Sequence, residues 1–171
     1  MRHVRSFGSL IALGMIAAWG SPASAQVRTV DDLVALSPAQ LDALYAQAGP
    51  GGVPVGPVRG RVIAAPGQPW AEHASKGAKF IWQGKVFCPM DGSATNRFFF
   101  KQVVRGMVSY APSWRDGRPS LIIDYTQTSH VYRNVRDEIR EVAPGVYLGL
   151  MFDVQPEPRF TQYFAFQAGQ W

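Results

Sequence analysis

The sequence predicts a mainly β protein, a small antiparallel β-barrel preceded by a short helical segment. After residue 60, aromatic and β-branched residues dominate short segments that clusters of Gly, Pro, Asp and Ser separate. Helical periodicity is strong only in 29–48. The expected strands are 60–65, 79–87, 96–101, 105–110, 120–125, 135–142, 146–154 and 159–167. About eight short strands in roughly 110 residues are typical of a small barrel or sandwich.

The N-terminal segment 1–25 has the pattern of a secretory signal peptide. Arg2 and Arg5 precede a short apolar stretch at 10–19, and Ala23 and Ala25 occupy the −3 and −1 positions of a cut before Gln26. An uncleaved anchor is the alternative, but a bilayer span needs about 20 apolar residues. The sequence therefore predicts a periplasmic or secreted protein. Its parts are the signal peptide (1–25), a helical segment with a Pro/Gly linker (26–59) and the barrel domain (60–171).

Composition limits the partners of the mature chain. Removal of 25 of the 171 residues leaves 146, with 15 basic and 12 acidic side chains and a net charge of +3. The basic residues are scattered, so we expect no nucleic-acid interface and only weak association with an anionic envelope surface. No later segment is apolar enough for a transmembrane helix. Cys88 is the only cysteine, which excludes an internal disulfide, and we expect it to be packed.

Two capping patterns divide the helical segment. Thr29 with Asp32 and Ser37 with Gln40 have the spacing of capping boxes, and Pro38 follows the second cap. The pattern predicts either two short helices or one helix kinked at Pro38, ending at Gly49.

Alternation along the late strands indicates which side chains share a face. Val146, Leu148, Leu150 and Phe152 share an apolar face, which we assign to the barrel interior. The strand at 135–142 is less regular, because Asp137 and Glu141 share a face with Val135 and Ile139, opposite Arg136, Glu138 and Arg140. Either two carboxylates enter the barrel, where they need a partner or a raised pKa, or the strand forms a salt-bridged rim with its other face solvated.

Several segments resemble the bacterial GXWXG family of unknown function. Residues 82–87 (WQGKVF) are similar to its W-x-G-K-x-F segment, 119–125 to its strand ending in Asp and Tyr, and 145–151 to its x-x-G-x-M element. The first family motif is not intact, since no tryptophan lies two residues after Gly60. The resemblance implies a barrel like those of lipocalins and fatty-acid-binding proteins, built around an apolar cavity.

Three functions remain open. The first is an exported lipocalin-like protein that binds a small hydrophobic molecule, such as a lipid or fatty acid, without a cofactor. Its polar ligand-binding candidates are Trp82, Lys85, Tyr132, Arg133 and Arg136, and the apolar ones are Phe98, Phe100, Leu148, Leu150, Phe152 and Phe164. Charged side chains would meet an acidic head group.

The second is an isomerase- or cyclase-type enzyme on the same barrel, and the third is an envelope or interaction module with a filled interior. For the enzyme, the candidate acid–base groups are Asp124, Tyr125, His130 and Asp137, because they cluster with proton-transfer groups within 14 residues. No metal site is expected, since His73 and His130 stand in no ligand pattern.

Overall fold

The computed structural model describes residues 27–169. Eight antiparallel strands form a closed barrel in which each strand pairs with the next and the last pairs with the first. The strands are β1 (Gly56–Ile63), β2 (Trp82–Cys88), β3 (Ser93–Phe98), β4 (Lys101–Pro112), β5 (Pro119–Asp124), β6 (Val135–Ala143), β7 (Val146–Asp153) and β8 (Arg159–Gln167). The helices are α1 (Val30–Val34), α2 (Pro38–Gln47) and α3 (Ala71–Ala78). The predicted fold class, a small antiparallel barrel with an N-terminal helical segment, is confirmed.

The first two helices begin at the predicted caps. The Thr29 side chain accepts a hydrogen bond from the Asp32 amide, and the Ser37 side chain accepts one from the Gln40 amide. Both capping boxes are complete, and Pro38 begins α2. The segment is therefore two short helices. Helix α3 was not predicted.

The Pro/Gly linker closes one end of the barrel. Strand β1 begins at Gly56, four residues before the boundary expected at 60. Ahead of it, the carbonyl oxygens of Gly51 and Gly52 accept hydrogen bonds from the hydroxyls of Tyr110 and Tyr147, each at 3.0 Å. Val53 packs against the apolar cluster inside the barrel. The linker therefore covers this end of the barrel.

The helices cover the outside of the barrel and create a second core. Residues of α1 and α2 pack against the outer faces of β7 and β8. The outer core contains Val146, Leu148, Leu150 and Phe152. The prediction that these four residues face the barrel interior is therefore wrong. The prediction that Leu148, Leu150 and Phe152 line the cavity is wrong for the same reason. Both faces of β7 are buried, so its apolar pattern does not show which face is inside.

The opposite face of β6, which would be solvated if the strand formed a salt-bridged rim, is buried as well. Glu138 and Arg140 are fully inaccessible beneath α2 and the loop after β4. The Arg140 guanidinium donates to both carboxylate oxygens of Asp116, at 2.8 and 2.6 Å, and to the Tyr45 carbonyl. Glu138 accepts from the Trp114 amide at 2.9 Å and from the Arg136 side chain. Paired charges are tolerated in this outer layer because their hydrogen bonds replace water.

Two smaller expectations also change. Cys88 is an exposed free thiol and not a packed one, because it lies at the end of β2 beside a turn. Glu141 does not enter the cavity. It is partly buried at the closed end, where it accepts a hydrogen bond from the Gly145 amide at 2.7 Å.

Among the helices of residues 27–169, none has the length and apolar character needed to cross a membrane.

Candidate functional site

A cluster of polar side chains lies inside the barrel, although the surrounding walls are apolar. Lys85 projects inward from β2 and Asn96 from β3, while Asp137 projects inward from β6 and Tyr125 follows the end of β5. All four are buried. Residues that pair directly across neighbouring strands have their side chains on the same face of the sheet. Asp137 therefore faces inward together with its partners Ile123 and Met151.

Lys85 lies at the centre of this cluster. Its ammonium nitrogen donates to Oδ1 of Asn96 at 2.8 Å, to the Tyr125 hydroxyl at 2.9 Å and to Oδ2 of Asp137 at 2.7 Å. It also lies 5.1 Å from the ring centroid of Phe164 and 5.5 Å from that of Trp82. The three N–H groups of the ammonium are thus all used within the protein.

The partners of Lys85 hold one another as well. The Tyr125 hydroxyl donates to Oδ2 of Asp137 at 2.8 Å and accepts from Nδ2 of Asn96 at 2.8 Å. The Trp82 indole N–H donates to Oδ1 of Asn96 at 3.0 Å. The polar atoms of this cluster therefore have fixed positions, as an orienting group in a pocket requires.

Asp137 retains one unused oxygen. Both hydrogen bonds to its carboxylate, from Lys85 and from Tyr125, end on Oδ2. Within residues 27–169, Oδ1 has no hydrogen-bond partner, and the Asp137 side chain lines a cavity. An ionised carboxylate has about four acceptor positions. The free oxygen can therefore accept a hydrogen bond or a proton from a molecule in the cavity.

Burial sets the protonation of the cluster. Desolvation lowers the pKa of Lys85, and the nearby Asp137 carboxylate opposes that shift. Desolvation, reinforced by Asp137, raises the pKa of Tyr125 well above its ordinary value. The same two causes raise the pKa of Tyr132, which is half-buried beside them. At neutral pH both phenols are therefore neutral and can act as hydrogen-bond donors.

A cavity of about 290 Å³ extends from this cluster toward the end of the barrel opposite the linker. Its walls are mainly apolar and include Val62, Ile81, Trp82, Phe98, Met151 and Phe164. Its polar lining consists of Lys85, Asn96, Tyr132, Asp137 and Gln162. An apolar pocket with a few convergent polar groups is the usual form of a small-molecule site.

Glycines in the wall make room for the rings that shape the cavity. A Cβ on Gly60 would lie 2.5 Å from the Trp82 indole, and one on Gly106 would lie 2.8 Å from the Tyr125 ring. A Cβ on Gly149 would overlap the Phe164 ring. The aromatic side chains can cross the interior only because these wall positions carry no side chain.

The structure brings together five of the residues that the sequence proposed. Trp82, Lys85, Tyr132 and Asp137 line the cavity, and Tyr125 lies beneath it in contact with Lys85 and Asp137. Phe98 and Phe164 also line it as expected.

Five other candidates lie elsewhere. Asp124 points outward, where its carboxylate accepts from the Thr126 amide, and His130 and Arg133 are exposed on the connector before β6. Arg136 is on the outer face of β6, with its guanidinium 4.2 Å from the Trp114 ring centroid. Phe100 is 70% exposed in the turn after β3 and lies outside the cavity. These candidates are close together in sequence but not in space. The chain leaves the barrel wall after Tyr125, and every second side chain along β6 points away from the interior.

Asn96 and Gln162 line the cavity but were not predicted as site residues. Asn96 alternates with Ala94 and Phe98 along β3, and Gln162 lies between Phe160 and Phe164 along β8. A polar side chain interrupting an apolar face is the signal that identified Asp137, and it was present at these two positions as well. Within residues 27–169, no group of three His, Cys, Asp or Glu side chains could hold a metal ion.

Comparison with known proteins adds support for the fold. No family model and no curated protein matches the chain. The solved structure of a protein from Thermomonospora curvata is similar to it, with a TM-score of 0.50 and 19% sequence identity over 80% of this chain and 90% of that chain. At this level of identity, the similarity bears on the fold alone.

Proposed function

We propose that the protein binds a small, mainly apolar molecule inside the barrel cavity. The observation that carries this proposal is the unused Oδ1 of Asp137 at the end of an apolar cavity of about 290 Å³. The volume lies just below the usual range of about 300–1,000 Å³ for ligand pockets. The cavity supports a binding function over the alternative of a filled interior.

The hydrogen bonding of the cluster favours a neutral ligand with a donor group. Lys85 uses its three N–H groups on Asn96, Tyr125 and Asp137, so it has none left for an acidic head group. A ligand carboxylate would also lie beside Asp137 and be repelled by it. A hydroxyl or amide N–H suits the free carboxylate oxygen, because hydrogen bonds to charged groups are worth about 1.5–3 kcal/mol. An alcohol, phenol or amide on an apolar body is the chemistry expected.

The test is to extract the purified protein into organic solvent and to identify the extracted compounds by mass spectrometry. Ala78 lines the cavity at the end of α3, so Ala78→Trp should fill it. His73 is exposed on the same helix, and His73→Trp is the matched control. We expect one apolar compound in stoichiometric amount from the wild type and the control and none from Ala78→Trp. No compound from the wild type, or the same amount from all three proteins, would refute the proposal.

A second candidate function is acid–base catalysis on such a ligand. It is favoured by one observation: a carboxylate with a free oxygen lies near Tyr132, whose hydroxyl stays protonated. Asp137 would accept a proton from carbon, and a tyrosine would supply one, as an isomerase requires. Incubation of the ligand with the protein in D₂O separates the two functions. Deuterium on carbon with the wild type but not with Asp137→Asn indicates catalysis, and undeuterated ligand indicates binding alone.

A further inference from the structure

A basic cleft lies on the outer surface of the barrel, separate from the interior cavity. It encloses about 590 Å³ and is lined by four cationic side chains, those of Arg59, Arg61, Lys79 and Arg97. Asp31 is the one acidic residue in its lining. Arg59 and Arg61 alternate along β1 with Val58 and Val62, which face the interior, so the cleft and the cavity lie on opposite sides of the barrel wall.

Strand register explains how the cleft is formed. Arg59 pairs with Gln167 of β8 on one side and with Gly84 of β2 on the other, and Gly84 pairs in turn with Arg97 of β3. Neighbouring strands lie about 4.8 Å apart, so the Cα atoms of the two arginines are about two strand spacings apart, with a glycine at the strand position between them. Gly84 has a φ of 122°, and a Cβ there would overlap the Val58 carbonyl. The gap between the arginines is therefore fixed by the backbone.

The cations of this cleft are unevenly neutralised. Arg61, which is 9% exposed, is held by ion pairs to Asp31 and to Glu72. Its Nε is nevertheless buried without a hydrogen-bond partner in the part of the chain that the structure describes. Arg59 and Lys79 line the cleft, and neither side chain makes an ion pair or hydrogen bond within residues 27–169. Both side chains are therefore available to an anion in the cleft.

We propose that this cleft binds the phosphate group of an organic phosphate. Guanidinium groups match phosphate oxygens with paired N–H donors, and Lys79 adds a point charge. The Gln167 side chain, which lines the same cleft, supplies an amide donor. Phe100, exposed at the edge of the cleft, offers an apolar surface to the organic part of the ligand. A phospholipid head group and a soluble phosphate ester share this chemistry.

Two probes distinguish these sources. The first is glycerol 3-phosphate, titrated into the full protein by calorimetry. The second is sedimentation with vesicles of phosphatidylcholine containing phosphatidylglycerol. The test variant is Arg59→Gln with Lys79→Gln. The control, Arg118→Gln with Arg159→Gln, removes the same charge from exposed arginines outside the cleft.

We expect saturable binding of at least one probe, weakened tenfold or more in the test variant and less than twofold in the control. Binding of glycerol 3-phosphate would show that a soluble phosphate ester is sufficient to occupy the cleft. Binding of vesicles without binding of glycerol 3-phosphate would show that the ligand is a lipid head group. Absence of binding to both probes would overturn the proposal. Equal loss in both double variants would overturn it too, since net charge would then explain the effect.

Discussion

The ammonium nitrogen of Lys85 lies 2.7 Å from Oδ2 of Asp137 in the interior of the barrel, where the two side chains are 2% and 6% exposed. Each charge compensates the other, because both side chains are largely shielded from bulk solvent. The pair is the fixed element around which Asn96, Tyr125 and Trp82 are arranged. One oxygen of Asp137 is bound by Lys85 and Tyr125, and the other has no hydrogen-bond partner within residues 27–169, on a side chain that lines the cavity.

Removal of either partner should therefore destabilise the protein more than removal of both. Lys85→Met leaves a buried carboxylate, and Asp137→Asn leaves a buried ammonium, for which the usual cost is about 3–5 kcal/mol. The double variant should cost less than either single change, because it leaves no unpaired buried charge. Urea unfolding of the four proteins gives the coupling energy. Strictly additive losses would show that the pair is not coupled.

The wall glycines should tolerate no side chain. Gly149→Ala would push a methyl group into the Phe164 ring, and Gly60→Ala would push one into the Trp82 indole. Overpacking of this kind costs about 1–3 kcal/mol. Gly77→Ala in α3 is the control, because nothing lies within 4 Å of its Cβ position, and it should be neutral or stabilising. Thermal unfolding measures all three, and an equal midpoint for Gly149→Ala and Gly77→Ala would contradict the packing described.

Buried tyrosines should make the protein sensitive to alkali. Desolvation, with Glu141 near Tyr147 and Asp42 near Tyr163, raises the pKa of both phenols to about 12. The unfolded chain loses these protons from about pH 10, so the folded state binds more protons between about pH 10 and 12 and stability falls as pH rises. Each phenol should cost roughly 2 kcal/mol over that interval.

Unfolding free energies of the wild type and Tyr163→Phe, measured across this range, check the prediction. The variant lacks the hydrogen bond from the Tyr163 hydroxyl to Asp42 but should lose less stability with rising pH. Parallel curves for the two proteins would contradict it.

The sequence predicted the barrel because alternation and turn residues mark each strand, but it did not show which faces are internal. Leu148 and Leu150 are as apolar as an interior face requires, yet they pack under the helices. The helices bury a second apolar surface on the outside of the barrel. Only the pairing of the strands shows which of the two apolar surfaces is internal. Asp137 was identifiable because a carboxylate stood between Val135 and Ile139 on one face of its strand. Its partner Lys85 was proposed only as a head-group ligand, since a contact across 52 positions leaves no local pattern.

Export is a prediction that concerns residues outside the described range. Segment 1–25 should be removed before Gln26 when the full chain is produced in a bacterium with a general secretion system. N-terminal sequencing of the protein from the periplasmic fraction or the medium is the measurement. Replacement of Ala23 and Ala25 by bulky residues should block the cut and retain the precursor. A full-length protein in the cytoplasm would contradict the prediction.

Ligand binding in the cavity can be measured by calorimetric titration with 4-butylphenol, an apolar probe with one hydroxyl donor, and with butylbenzene, which lacks the hydroxyl. The cavity and the free oxygen of Asp137 predict one saturable site in the wild type and in His73→Trp, abolished in Ala78→Trp. The phenol should bind about tenfold or more tightly than butylbenzene, as a hydrogen bond to a carboxylate provides. Equal binding of the phenol to wild type and Ala78→Trp, or no binding to either, would contradict the account.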